Sequence, residues 1–168
     1  RITSALADTP VPVARTLALC EDRSIVGTEF FLMDHADGRV FHDPSLPDLP
    51  PDERAAITAS MIETLAALHQ VDFHAVGLGA YGRVGGYMGR QVARWSKQYE
   101  ASKTDDLPEM DHLMAWLPEN MPDDSETTIV HGDFRLENLV IAHDEPRVIA
   151  VLDWELSTLG HPLSDLAY

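Results

Sequence analysis

The pattern of apolar positions changes period along the chain. VARTLALC (13–20) and TEFFLMDHA (28–36) are rich in β-branched, aromatic and apolar residues, and EDRSIVG lies between them, which predicts two strands joined by a turn. DGRVFHDPSLPDLPP then carries four of the eleven prolines and reads as a connector. Beyond it, Ile57, Met61, Leu65 and Leu68 recur at helical spacing to about Gln70, with Asp52 as candidate N-cap and Glu53 behind it. The shift from strand to helix across 38–51 predicts a hinge between two parts, 1–37 and 38–168.

A loop with six glycines, GLGAYGRVGGYMG, leads into a second helix with Met88, Val92, Trp95 and Tyr99 on one face. Met110, Leu113, Met114 and Leu117 predict a third, shorter helix that ends before 118–122. These Met, Trp and Tyr stripes are most simply core. Two short strands flank the polar centre of IVHGDFRLENLVI (129–141), RVIAVLDW supplies another, and GHPLSDLAY reads as the entry to a further helix.

Composition narrows the function classes. The 168 residues are 45% hydrophobic, enough for one domain with a real core. Lys and Arg total 12 against 28 Asp and Glu, and the net charge of -16 argues against gripping a nucleic-acid backbone or an anionic membrane. Cys20 is alone, so no internal disulfide is expected, and no stretch has transmembrane length; a cytoplasmic setting fits. The opening RITSALADTP shows neither an initiator Met nor a secretory signal and reads as a fragment or trimmed product.

The polar centre of 129–141 carries the chemistry. Leu139–Ala142 and Val148–Leu152 flank HDEPR, which predicts an antiparallel hairpin. Counted without a bulge, Leu139 faces Leu152, Val140 faces Val151 and Asn138 faces Asp153. That register delivers an amide oxygen and a carboxylate to one end of a small sheet, hard donors of the kind Mg²⁺ takes alongside water and phosphate oxygens. Asp133, five positions before Asn138, is within reach of an acceptor hydroxyl beside such a metal, and Arg135 could supply a neutralising cation, which is what phosphoryl transfer requires.

HGDFRLEN matches the spacing of the kinase pattern H-R-D-L-x-x-x-N, and LDWE lies where D-F-G follows a hairpin. His-Gly-Asp with a downstream LDWE resembles the aminoglycoside phosphotransferase and choline kinase group. IVHGDFRLENLV, YGRVGGYMGRQVARW and VLDWELSTLGHPLSDLAY are similar to its branch related to the kinase-like domain of acyl-CoA dehydrogenase fusion proteins, whose members are thought to phosphorylate hydroxyacyl substrates.

The resemblance implies an α+β, protein-kinase-like fold, truncated to the end of the N-terminal lobe (1–37) and most of a mainly helical C-terminal lobe (38–168). It implies ATP- and Mg²⁺-dependent transfer of a γ-phosphoryl group to a small-molecule hydroxyl. Asp133 would be the catalytic base, with Arg135 meeting the transferring phosphate. Asn138 and Asp153 would be magnesium ligands, and Glu155 would help hold a second metal or its water. The carbonyl of Asp34 and the N–H of Ala36 would meet adenine, and Asp165 would brace the catalytic loop through its backbone amides. The family's phosphate-covering loop and strand lysine belong upstream of residue 16, while Lys97 and Lys103 lie far downstream; an inactive, kinase-like binding module is therefore the competing expectation.

GLGAYGRV (77–84) satisfies G-x-G-x-x-G-x-V, yet it sits between helices rather than between strands. An acceptor-side loop, with Arg83 or Arg90 toward an anionic group, fits that position better. His131 reads as a locally bonded histidine rather than a metal ligand, and His69, His74 and His112 lack zinc-site spacing. Taken singly, Asp133, Asn138 and Asp153 could be turn and cap residues. Two motifs in the right order, joined by a hairpin, favour a site.

Overall fold

The computed structural model describes residues 1–167; Tyr168, the last residue of the GHPLSDLAY tail, lies outside them. Five α-helices and six strands follow in the order α1 (Ile2–Leu6), β1 (Thr16–Cys20), β2 (Phe30–Met33), α2 (Pro51–His69), α3 (Tyr87–Ser102), α4 (Pro108–Trp116), β3 (Thr128–Val130), β4 (Leu139–Ile141), β5 (Val148–Val151), β6 (Thr158–Gly160) and α5 (Leu163–Leu166). The strands form three antiparallel pairs, β1 with β2, β3 with β6 and β4 with β5. Neither α1 nor β6 is apparent in the periodicity, because each is too short to show one.

The α2 helix is the long buried strut. Ile57, Leu65 and Leu68 face the core with Ile2 and Leu6 of α1, Ile129 of β3, Leu139 and Ile141 of β4, and Val148 and Val151 of β5. The predicted Asp52 cap is displaced. Pro51 takes the first helical position after Pro50, and no side chain caps the end. Proline lacks an N–H there, so one of the donors a cap would satisfy is absent. Asp52 and Glu53 instead sit in the first turn, where carboxylates oppose the positive helix end.

The expected hairpin forms one residue out of the expected register. Leu139 pairs with Val151, Val140 with Ala150 and Ile141 with Val148, so Ile149 is an extra residue on β5. The loop closes at Ala142 N to Arg147 O (2.9 Å), and the Asn138 carbonyl accepts from Leu152 N (2.8 Å). Asn138 therefore faces Leu152, not Asp153. A bulge adds one residue to one strand and shifts every pair beyond it by one.

The 38–51 connector is stitched to this hairpin. Arg39 and Ile141 exchange both backbone bonds (2.6 and 2.8 Å), and Arg39 also reaches Ala142 O (3.0 Å) and Glu53 (2.8 Å). Gly38 makes the approach possible, since a Cβ there would stand 2.5 Å from Ile141 O.

The apolar stripes of the next two helices are not the core expected of them. No residue of α3 or α4 is buried; Trp95 is 55% exposed and Trp116 48%. Helical spacing identifies the apolar face but not whether something covers it. No helix among the described residues is long and apolar enough to cross a membrane.

Candidate active site

The segment between β3 and β4 turns sharply at Gly132, whose φ is +84°. A Cβ at that position would lie 2.8 Å from Leu156 O, so both conformation and space demand glycine. The turn leaves two successive amides pointing at one carboxylate. His131 N donates to Asp165 Oδ2 (2.9 Å) and Gly132 N to Oδ1 (2.8 Å), the bracing expected of Asp165. Asp165 is buried, and these bonds offset the cost of placing its carboxylate there.

His131 is fully buried and locally bonded. Its Nδ1 accepts from Asp133 N (3.3 Å), which leaves Nε2 to donate to Leu152 O (2.8 Å) in the neutral imidazole. The ring also packs 4.7 Å from that of Trp154. One side chain thus joins the loop to the segment that carries Asp153.

Asp133 and Asn138 are in direct contact. Asn138 Nδ2 donates to the Asp133 carbonyl (2.9 Å) and to its Oδ2 (2.8 Å). With the amide nitrogen committed, Oδ1 is the atom left for a cation. Arg135 Nε lies 3.3 Å from Asp133 Oδ2, and its guanidinium also pairs with Glu137. The Asp133 side chain is 15% exposed and that of Arg135 48%, a sheltered carboxylate with a half-exposed cation at its mouth.

Asp153 follows β5 with φ 59° and ψ 61°, one of two non-glycine residues at positive φ among those described. Such a conformation is tolerated by Asp but costs energy, and it turns the chain out of the strand just where the side chain is exposed. Asp153 and Glu155 border a cavity of about 520 Å³ whose other walls include Ala14, Thr16, Met33 and Val151. No three His, Cys, Asp or Glu side chains converge as a metal cage among the described residues. Asn138 Oδ1 and the Asp153 carboxylate are each hard oxygen donors of the kind Mg²⁺ takes, an ion that keeps most of its coordination for water and phosphate.

Asp34 and Ala36 lie just past β2. Asp34 N donates to Arg15 O (2.9 Å), and its carboxylate accepts from Arg15 Nε (2.9 Å), which holds the Arg15 pKa above its usual range. No hydrogen bond among the described residues engages the Asp34 carbonyl or the Ala36 N–H. Both remain available for a planar ligand edge.

The whole chain, residues 1–168, matches the phosphotransferase enzyme family. It belongs to that family. A protein of known structure from Ralstonia eutropha, provisionally assigned as an aminoglycoside phosphotransferase, is 54% identical, with a TM-score of 0.95 over 99% of this chain and 51% of its own. Acyl-CoA dehydrogenase family member 11 of Rattus norvegicus is 53% identical over all of this chain, which spans 22% of that relative's length. An aminoglycoside phosphotransferase mutant in complex with ADP and hygromycin B shares the fold at 19% identity, with a TM-score of 0.71 over 99% of this chain and 57% of its own. The chain therefore has the protein-kinase-like α+β fold expected from its motifs.

Within that fold, the glycine-rich segment at 77–86 serves packing. Gly82 lies against β6, where a Cβ would stand 2.5 Å from Thr158 Oγ1 and 2.6 Å from Leu159 N. Tyr81 OH meets Ser157 Oγ at 2.7 Å. Arg90 is turned back onto the loop, donating to the carbonyls of Gly85 and Arg83. His69 is the residue that motif reading overlooked. Weighed only for zinc, it lies 3.0 Å from Asp165, a partner too distant in sequence for spacing to reveal.

Proposed function

We propose that the protein carrying this chain is a small-molecule kinase that transfers the γ-phosphoryl group of ATP to a hydroxyl, with a hydroxyacyl-CoA or related hydroxy compound as acceptor. The observation that carries this reading is the loop in which Asn138 holds Asp133 by two hydrogen bonds while Asp165 fixes the backbone beneath them. A protein of the same fold forms a ternary complex with ADP and hygromycin B, which supports a nucleotide here.

Asp133 orients the acceptor hydroxyl and receives its proton as the oxygen bonds to the γ-phosphorus and the bond to the β–γ bridging oxygen breaks, releasing ADP. Asn138 keeps the Asp133 carboxylate from swinging away. Arg135, already at that carboxylate, is placed to swing toward a phosphoryl group. Asp34 and Ala36 offer an acceptor and a donor to adenine. Asn138 and Asp153 would hold magnesium, with Glu155 assisting, and the metal would neutralise charge on the phosphates.

Charge distribution supports an anionic acceptor. Besides Arg90, which bonds the loop's own carbonyls, residues 73–99 contain Arg83, Arg94 and Lys97 and no Asp or Glu, in a chain of net charge -16. The test is ATP consumption by the full-length protein against hydroxyacyl-CoAs, aminoglycosides and choline, with Asp133→Asn as control. Turnover with one acceptor class should fall at least a hundredfold in Asp133→Asn while nucleotide binding persists. Retained turnover would reject Asp133 as base. Magnesium-dependent nucleotide binding without transfer to any acceptor would favour the inactive binding module.

A further inference from the structure

We propose that the exposed face of α3 binds the phosphorylated nucleotide end of a CoA-thioester acceptor, with Arg94 and Lys97 on its phosphates and Trp95 beneath its purine. The inference rests on the reading of this chain as part of a kinase for a hydroxyacyl-CoA or related acceptor, and it names where the end remote from the hydroxyl is held.

Tyr87, Arg90, Arg94 and Lys97 recur at i, i+3, i+7 and i+10 and share one stripe of α3. The stripe starts beside the strands that carry the Asp133 loop. A Cβ on Gly160 of β6 would stand 2.9 Å from the Tyr87 ring and 2.8 Å from the side chain of Val130, the last residue of β3 before His131. At 1.5 Å per residue the stripe reaches Lys97 about 15 Å farther on. Arg90 donates to the carbonyls of Gly85 and Arg83, which brings residue 83 to the head of the stripe.

Arg94 and Lys97 are exposed, and neither forms an ion pair among the described residues. Elsewhere cations are spent on carboxylates, as in Arg15 with Asp34, Arg39 with Glu53 and Lys103 with Asp106. A merely solvated helix face in so acidic a chain would carry carboxylates three or four residues from its cations. Only Glu100 stands at such a spacing here, three residues beyond Lys97, and the two do not pair. Trp95 is 55% exposed, and the Arg94 guanidinium carbon lies 5.5 Å from its ring centroid. An accessible indole flanked by unspent cations suits a purine that carries phosphates, since any base stacks on an aromatic face and the guanidinium fork matches phosphate oxygens. A CoA thioester has its acyl hydroxyl and its phosphates at opposite ends of a long flexible arm. Its hydroxyl can therefore meet Asp133 while its nucleotide lies down α3.

The test uses the full-length protein with MgATP and two acceptors that share one hydroxyacyl group, the CoA thioester and the shorter pantetheine thioester, which has no nucleotide. Arg94→Gln combined with Lys97→Gln should raise the KM for the CoA thioester about tenfold or more. The KM values for the pantetheine thioester and for MgATP should stay within about twofold. Trp95→Ala should raise the KM for the CoA thioester about fivefold or more, again sparing the pantetheine thioester. Arg23→Gln combined with Arg147→Gln removes the same charge away from α3 and should leave all three within about twofold. Binding of the CoA thioester to Asp133→Asn protein, measured without ATP by equilibrium dialysis, should weaken about tenfold or more when the glutamine pair is added.

An unchanged KM and unchanged binding in the glutamine pair would overturn the proposal, leaving the stripe as a solvated face or one covered by another part of the protein. Equal losses with the CoA and pantetheine thioesters would also overturn it, because the face would then not be reading the nucleotide. Turnover that survives Asp133→Asn defeats the kinase reading, while the dialysis comparison still decides the role of α3.

Discussion

The loop at 131–138 that carries Asp133 and the glycine-rich loop at 77–86 both depend on glycine, and they use it for opposite ends. At Gly132 the left-handed backbone aims amides at Asp165 and leaves Asp133 and Asn138 facing each other. At Gly82 the missing side chain lets the loop lie flat on Thr158 and Leu159. The first arrangement exposes chemistry at a sheltered point. The second closes a gap between a loop and a strand, and its Arg90 is spent on the loop's own carbonyls. A glycine motif therefore marks close approach, and the destination of the neighbouring polar groups decides what is approached.

Gly132→Ala should break the comparison most severely. A methyl at φ +84° and 2.8 Å from a backbone oxygen should cost about 3 kcal/mol and remove turnover, read by urea denaturation and by ATP consumption. Gly82→Ala should cost about 2 kcal/mol through overpacking against β6, with nucleotide affinity retained in a binding titration. Lost nucleotide affinity without lost stability would instead revive the loop as a phosphate cradle. Tyr81→Phe removes one hydrogen bond to Ser157 and should lower stability by about 1 kcal/mol in a thermal melt, with turnover changed by less than about threefold.

The parts of this molecule that were legible in sequence are those encoded by residue type at short spacing. HGDFRLEN announces a polar loop carrying Asp133 and Asn138, and the structure adds that the two bond at 2.8 Å. The strands within 13–20 and 28–36 and the α2 helix are legible for the same reason, whereas the bracing by Asp165, 34 residues from His131, is implied only by the family resemblance. The hairpin register was not, because Ile149 bulges out of β5 without disturbing the apolar pattern that would signal it. Nor was the exposure of Trp95 and Trp116, since periodicity describes one helix and burial depends on its neighbours. His69 escaped because its meaning lies in Asp165, 96 residues away.

If the segment carrying Asn138 and the one carrying Asp153 form the divalent-metal site proposed above, both should be needed to hold the ion. Manganese affinity measured by electron paramagnetic resonance in the presence of ATP tests it most directly. Asn138→Ala and Asp153→Asn should each weaken manganese binding by about tenfold or more, while Asp133→Asn should leave it within about twofold. Manganese held equally tightly by wild type and Asp153→Asn would contradict the account.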